Sequence, residues 1–83
     1  MPLGLAMRAI IGVLLRSRGF CAPEKEIRAV LRSLGYSDRS AYVYIYRLSR
    51  RGVVNRHRVG TATQVCLKLD RLRDLGAEIV VLW

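Results

Sequence analysis

Seven of the chain's fifteen positive charges stand between Arg39 and Leu69, and no carboxylate stands among them. They are Arg39, Arg47, Arg50, Arg51, Arg56, Arg58 and Lys68. A folded segment carrying one uncompensated sign of charge suits a polyanion, and nucleic acid is the commonest one. Arginine supplies thirteen of the fifteen. Its planar donor fork matches phosphates and guanine edges, which the lysine ammonium does not. Tyr42, Tyr44 and Tyr46 are interleaved with these arginines. A solvated helix face is the competing reading for any single arginine. The run of about thirty residues without an acid is what favours binding for the cluster.

Other chemistry is poorly provided for. The chain has one histidine, six carboxylates and no phosphate-cradling glycine loop. His57 lies in a basic stretch with no carboxylate near it in sequence, so a general base is not expected and the chain reads as no enzyme. A zinc site from Cys21, His57 and Cys66 lacks the close-spaced ligand pairs such sites use. No metal, cofactor or small-molecule ligand is expected.

The elements that must position the basic residues follow from periodicity. A helix over about 38–51 opens at Ser37, a good N-cap residue, with Asp38 in its first turn. At 100° per residue, Ala41, Tyr44, Ile45 and Leu48 gather on a core face. Arg39, Tyr42, Val43, Tyr46 and Arg50 point the other way, with Arg47 flanking. After Gly52 the period becomes two. Residues 53–59 and 63–69 read as strands joined by Gly60, Thr61 and Ala62, with Val65, Leu67 and Leu69 on the inner side.

Upstream, a helix over about 3–18 carries Met7, Ile10, Ile11, Val13, Leu14 and Leu15, more apolar residues than one stripe requires, which points to a covering partner. Phe20, Cys21 and Ala22 form at most a single β-pair. Pro23 suits the first turn of a second helix, with Glu24 and Glu26 at its N-terminal end and Ile27, Val30, Leu31 and Leu34 on one face. Gly19, Gly35, Gly52 and Gly76 read as helix stops. Residues 70–75 could form one or two helical turns, and the apolar end from Ala77 to Trp83 reads as a strand or a dimerising helix.

The whole chain has 83 residues, enough for one domain, with 52% hydrophobic and 25% charged residues, a net charge of +9 and a pI near 10.8. That composition describes a folded domain rather than a disordered basic tail. No stretch approaches the ~20 apolar residues needed to span a bilayer. The run Ile10 to Leu15 looks signal-like, but Arg8, Arg16 and Arg18 surround it and no small-residue cleavage site is evident. It reads as a core helix, and the protein as cytoplasmic and nucleoid-associated.

The order helix, short bridge, helix, turn, helix, hairpin resembles the winged helix-turn-helix DNA-binding family over about residues 5–69. The segment carrying the resemblance is Leu48-Ser-Arg-Arg-Gly52-Val-Val-Asn-Arg56. It looks like that family's passage from recognition helix to wing: leucine, polar residues, glycine, two aliphatics, a basic residue. Small archaeal and bacterial regulators of the MarR-like and PadR-like type share it. The tyrosine density of the third helix departs from the general pattern.

The resemblance implies an α+β fold, a three-helix core with a C-terminal β-hairpin wing, in a single domain over 1–83 whose residues 70–83 form an extension. It implies that the third helix enters the major groove of double-stranded DNA. Arg39 would contact guanine, and Ser40, Tyr42 and Val43 would lie against base edges or phosphates. Tyr46, Arg47, Arg50 and Arg51 would grip backbone. Arg56 and Arg58, with His57 as a further candidate, would place the wing at 53–69 on phosphates or in the minor groove. A sequence-specific transcription regulator follows, as a homodimer through the first helix and the C-terminal tail. The alternatives are a winged-helix interaction subunit of a transcription or replication complex, or a non-specific architectural protein binding DNA or RNA. The bridge after the first helix commonly pairs beside the wing in this family, which would bring Cys21 near Cys66. A disulfide there is one expectation. Two small buried hydrophobes is the preferred one, since cytosolic thiols are normally reduced outside hyperthermophiles.

Overall fold

In the computed structural model, which describes residues 4–68, three α-helices and three strands follow in the order α1 (Leu5–Arg16), β1 (Cys21–Pro23), α2 (Glu24–Ser33), α3 (Asp38–Arg50), β2 (Val54–Val59) and β3 (Ala62–Leu67). The strands form one antiparallel sheet in the order β1-β3-β2. This small α+β arrangement is compatible with a winged-helix-like fold. The expectations for Leu69, Gly76, residues 70–75 and the apolar end lie outside the described residues, as does the proposed start of the first helix at residue 3.

The core is made where the helices meet the sheet. Ile10, Ile11 and Leu14 of α1, Ile27 and Leu31 of α2, and Ala41, Ile45 and Leu48 of α3 are buried together with Val54, Val65 and Leu67. Met7, Ala9, Val13 and Leu15 pack against that core. The apolar excess of α1 is therefore largely absorbed within the chain, because this helix lies against α2, α3 and the sheet at once. Leu5, 52% exposed, is the large apolar side chain of α1 left open.

Two helix ends explain the sequence's periodic glycines. The Gly52 N–H donates to the Ser49 carbonyl and the Val53 N–H to the Leu48 carbonyl, both at 3.0 Å, with Gly52 at φ +76. This is a Schellman cap, closed by apolar residues at both its ends, Leu48 and Val53. The winged-helix-like signature thus has a local cause: the leucine, the glycine and the first aliphatic are the parts of one helix terminator. Leu31, Gly35 and Tyr36 repeat it at the end of α2. Leu34, expected on the apolar face of α2, sits at that helix end and is 46% exposed.

Three boundaries differ from the periodic reading. The first helix stops at Arg16, not near 18, because Ser17 is extended and its hydroxyl donates to the Val13 carbonyl. Gly19, at φ +66, belongs to a following 3-10 turn that swings the chain into β1. Pro23 caps α2 from an extended conformation instead of occupying its first turn. The hairpin loop is two residues, Gly60 and Thr61, because Ala62 already pairs with Val59.

The larger correction concerns the cysteines. β1 and β3 pair so that Cys21 faces Cys66 directly, with a Cα–Cα distance of 4.0 Å, and the two are joined as a disulfide. They are half-buried, not interior hydrophobes. The reason is register. Val65 and Leu67 alternate inward, which puts Cys66 between them on the outer face of the sheet.

Candidate nucleic-acid interface

The capped start of α3 fixes the rotation of the basic face. Ser37 Oγ accepts from the Ser40 N–H at 3.1 Å and donates to Ser40 Oγ at 3.1 Å. Ala41, Ile45 and Leu48 are then buried, and their counterparts on the opposite side stand in the open. Arg39, Tyr42, Tyr46, Arg47, Arg50 and Arg51 are exposed, and Ser40 and Val43 are half-buried. Tyr42 and Tyr46, one turn apart, are 46% and 47% exposed. Arg39, Ser40, Val43, Tyr44 and Arg47 line a shallow depression of about 270 Å³ along the helix.

Tyr44 belongs to the interior side only in part. Its ring meets that of Tyr36 edge to face with centroids 5.7 Å apart, and the Arg47 guanidinium lies 5.7 Å from its centroid. Arg47 thus lies beside the depression in a weak cation–π contact with Tyr44.

The arginines of β2 divide. Arg58 is exposed. Arg56 is half-buried and turned inward: Nε and Nη2 donate to Glu24 Oε2 at 3.3 and 3.1 Å, and its guanidinium carbon lies 5.0 Å from the Tyr42 ring centroid. Burial alone would lower the Arg56 pKa. The hydrogen bond and charge of Glu24, with a smaller contribution from Tyr42, more than offset that and hold it above its ordinary value. The acid-free span therefore receives an acid from another element, 32 positions away in sequence. Nothing in the spacing of residues signalled this pairing.

His57 is exposed on the outer face of the sheet, its Nε2 3.8 Å from Cys66 Sγ. Cys21, His57 and Cys66 do converge, but as a disulfide neither sulfur offers a thiolate to a metal. Among the described residues no group of three or more histidines, cysteines or carboxylates could hold a metal ion. Nor is any helix there long and apolar enough to cross a membrane.

A basic region absent from the sequence reading lies beside the hairpin tip. Lys25 and Arg28 of α2 line a groove of about 390 Å³ together with Pro23, Glu24, Thr61, Ala62 and Thr63. In sequence Lys25 and Arg28 lie close to Glu24 and Glu26; folding sets them against the β2–β3 loop. On the remaining side, Asp38 is drawn off by Arg32 at 2.7 Å, an exposed pair that leaves the acid at the edge of the basic face.

No family model matches the chain, and no curated protein does. Among solved structures, the crystal structure of a hypothetical protein from Pyrobaculum spherical virus is similar, with a TM-score of 0.55 and 29% sequence identity. The match covers 90% of this chain and 47% of that one, so this chain spans about half the length of the viral protein.

Proposed function

We propose that the chain is a winged-helix protein that binds double-stranded DNA and acts as a sequence-specific regulator, with residues 38–51 as the recognition helix and 53–69 as the wing. One observation carries the reading. The outward side of α3 presents Arg39, Tyr42, Tyr46 and Arg50 together, exposed and without an intervening acid. A helix of this kind fits a major groove, where arginine at its N-terminal end reaches guanine and the remaining arginines reach backbone. Arg58 on β2, and Lys25 and Arg28 beside the hairpin tip, extend the positive surface past the helix.

Electrophoretic shift with duplex DNA, single-stranded DNA and single-stranded RNA, run across a salt series, tests this. Duplex should be retained best, and its affinity should fall linearly in log–log against salt. Preference for single-stranded RNA would favour stacking on Tyr42 and Tyr46 instead. Selection of bound duplex from a random pool then separates a regulator, which enriches a motif, from an architectural protein, which does not.

The second component of the proposal is a homodimer through α1 and the C-terminal segment. It is favoured by a groove along α1 in which Leu5, Ala9, Gly12 and Val13, with Val30 of α2, lie between Arg8 and Arg16, and by the apolar sequence Ile79-Val-Val-Leu-Trp83. A dimer would place two recognition helices on half-sites about one helical turn apart.

A further inference from the structure

Three side chains from three elements form one contact chain beneath the exposed face of α3. Glu24, the first residue of α2, is 7% exposed. Arg56, on β2 opposite the buried Val65, reaches it with Nε and Nη2. The carbon of the same guanidinium lies over the Tyr42 ring, 5.0 Å from its centroid. Tyr42 is thus an exposed helix residue whose ring rests on a group clamped from below.

The clamp commits the Nε–Nη2 side of the guanidinium and leaves only its Nη1 side for any other oxyanion. A guanidinium binds an oxyanion best through a two-nitrogen fork, and the Nε–Nη2 fork of Arg56 is already committed to a carboxylate. Withdrawing Arg56 to reach DNA would strand a buried carboxylate without its partner, which is strongly unfavourable. Holding a ring in place has the opposite logic. A tyrosine on an open helix face samples several rotamers, and ordering it before contact removes part of the entropic cost of binding. Resting on the duplex-binding reading above, we propose that Glu24 is a positioning residue. Through Arg56 it fixes the Tyr42 ring on the side of α3 that meets the bases, and Arg56 itself takes no phosphate.

Two measurements test this separately from the reading it rests on. The first needs no nucleic acid: in the NMR spectrum the Arg56 Nε–H should be slow to exchange and shifted by the Tyr42 ring, and Glu24→Gln should weaken that protection and move the Tyr42 ring resonances. Tyr42 resonances indifferent to Glu24→Gln would overturn the proposal whether or not DNA binds. The second uses the full chain and duplex DNA over a salt series. Arg56→Ala should weaken binding while leaving the slope of log K against log salt unchanged; a slope shallower by about 1 would mean that Arg56 had been neutralising a phosphate, and the proposal fails. Glu24→Gln should lower affinity roughly two- to tenfold, the scale of one lost contact, and that loss should vanish when Tyr42 is already alanine. Tighter binding by Glu24→Gln would show that the carboxylate merely competes with DNA for Arg56, and losses that simply add would show no coupling to Tyr42. If Glu24→Gln does not fold, Arg56→Lys serves in its place, read by the Tyr42 ring resonances and by affinity, since an ammonium keeps the charge but loses the fork. A wild-type chain that binds no duplex at low salt would defeat the functional reading and leave the spectroscopic result to decide the positioning claim.

Discussion

Cys21 and Cys66 lie 45 positions apart in sequence and face each other across β1 and β3, bridging the two strands on the outer side of the sheet. β1 is only three residues long, too short to hold its place by backbone pairing with much margin. The covalent link also ties the entry of α2, which starts directly after β1, to the strand that carries the core residues Val65 and Leu67.

Replacing either cysteine with serine should cost about 2–4 kcal/mol, as expected for closing a loop of this length in the unfolded chain. Thermal or denaturant unfolding with and without reductant reads this. Denatured, non-reduced protein should show no titratable thiol; two titratable thiols would mean that the cysteines are unbridged.

Gly52 closes α3 at φ +76. A side chain there must adopt a left-handed backbone, so Gly52→Ala should destabilise by about 1–2 kcal/mol. Because Gly52 also sets the angle at which β2 leaves the helix, duplex affinity should fall further than the stability loss alone explains. Unfolding curves and a binding titration on the same preparation check both effects; unchanged stability would mean that the cap is not formed.

Ser37→Ala removes the side chain that accepts from the Ser40 N–H at the start of α3. The expected loss is about 1 kcal/mol. For a domain of this size that corresponds to a fall in Tm of roughly 4–8 °C. Ser37→Asp should retain most of the stability, since aspartate caps equally well and suits the helix dipole.

Leu5→Lys places a charge on the open end of the α1 groove without touching the buried core. If that groove is the dimer contact, light scattering should move from about twice the 9.4 kDa chain mass toward a single chain, with the unfolding midpoint of the monomeric domain little changed. A wild-type mass of one chain at micromolar concentration would remove the dimer from the proposal.

The sequence was most legible where structure is local. Ser37, Gly35 and Gly52 announce helix ends because caps are built from neighbouring residues, and Ala41, Ile45 and Leu48 announce the core face of α3 because helical spacing is fixed. It was least legible where strands and helices bring distant residues together. The pairing of Cys21 with Cys66 depends on register, which the alternation of Val65 and Leu67 sets only once β1 is known to lie beside them. The carboxylate beneath Arg56 comes from the start of α2, so a charge count along residues 39–69 could not reveal it. Arg56 read as one of several wing arginines; folding sets it apart from Arg58. Likewise Lys25 and Arg28 come to share a groove with Thr61 and Thr63 only because folding sets the hairpin tip beside α2.

The most direct test of the central claim is a salt-dependent duplex-binding titration comparing the wild-type chain with Arg39→Ala/Arg50→Ala. Both residues are exposed and neither makes a core contact, so the variant should fold as the wild type does. The variant should lose most of its affinity, with a salt slope shallower by up to about 0.9 for each arginine that neutralises a phosphate. Equal affinity and equal slope for the two proteins would contradict the claim.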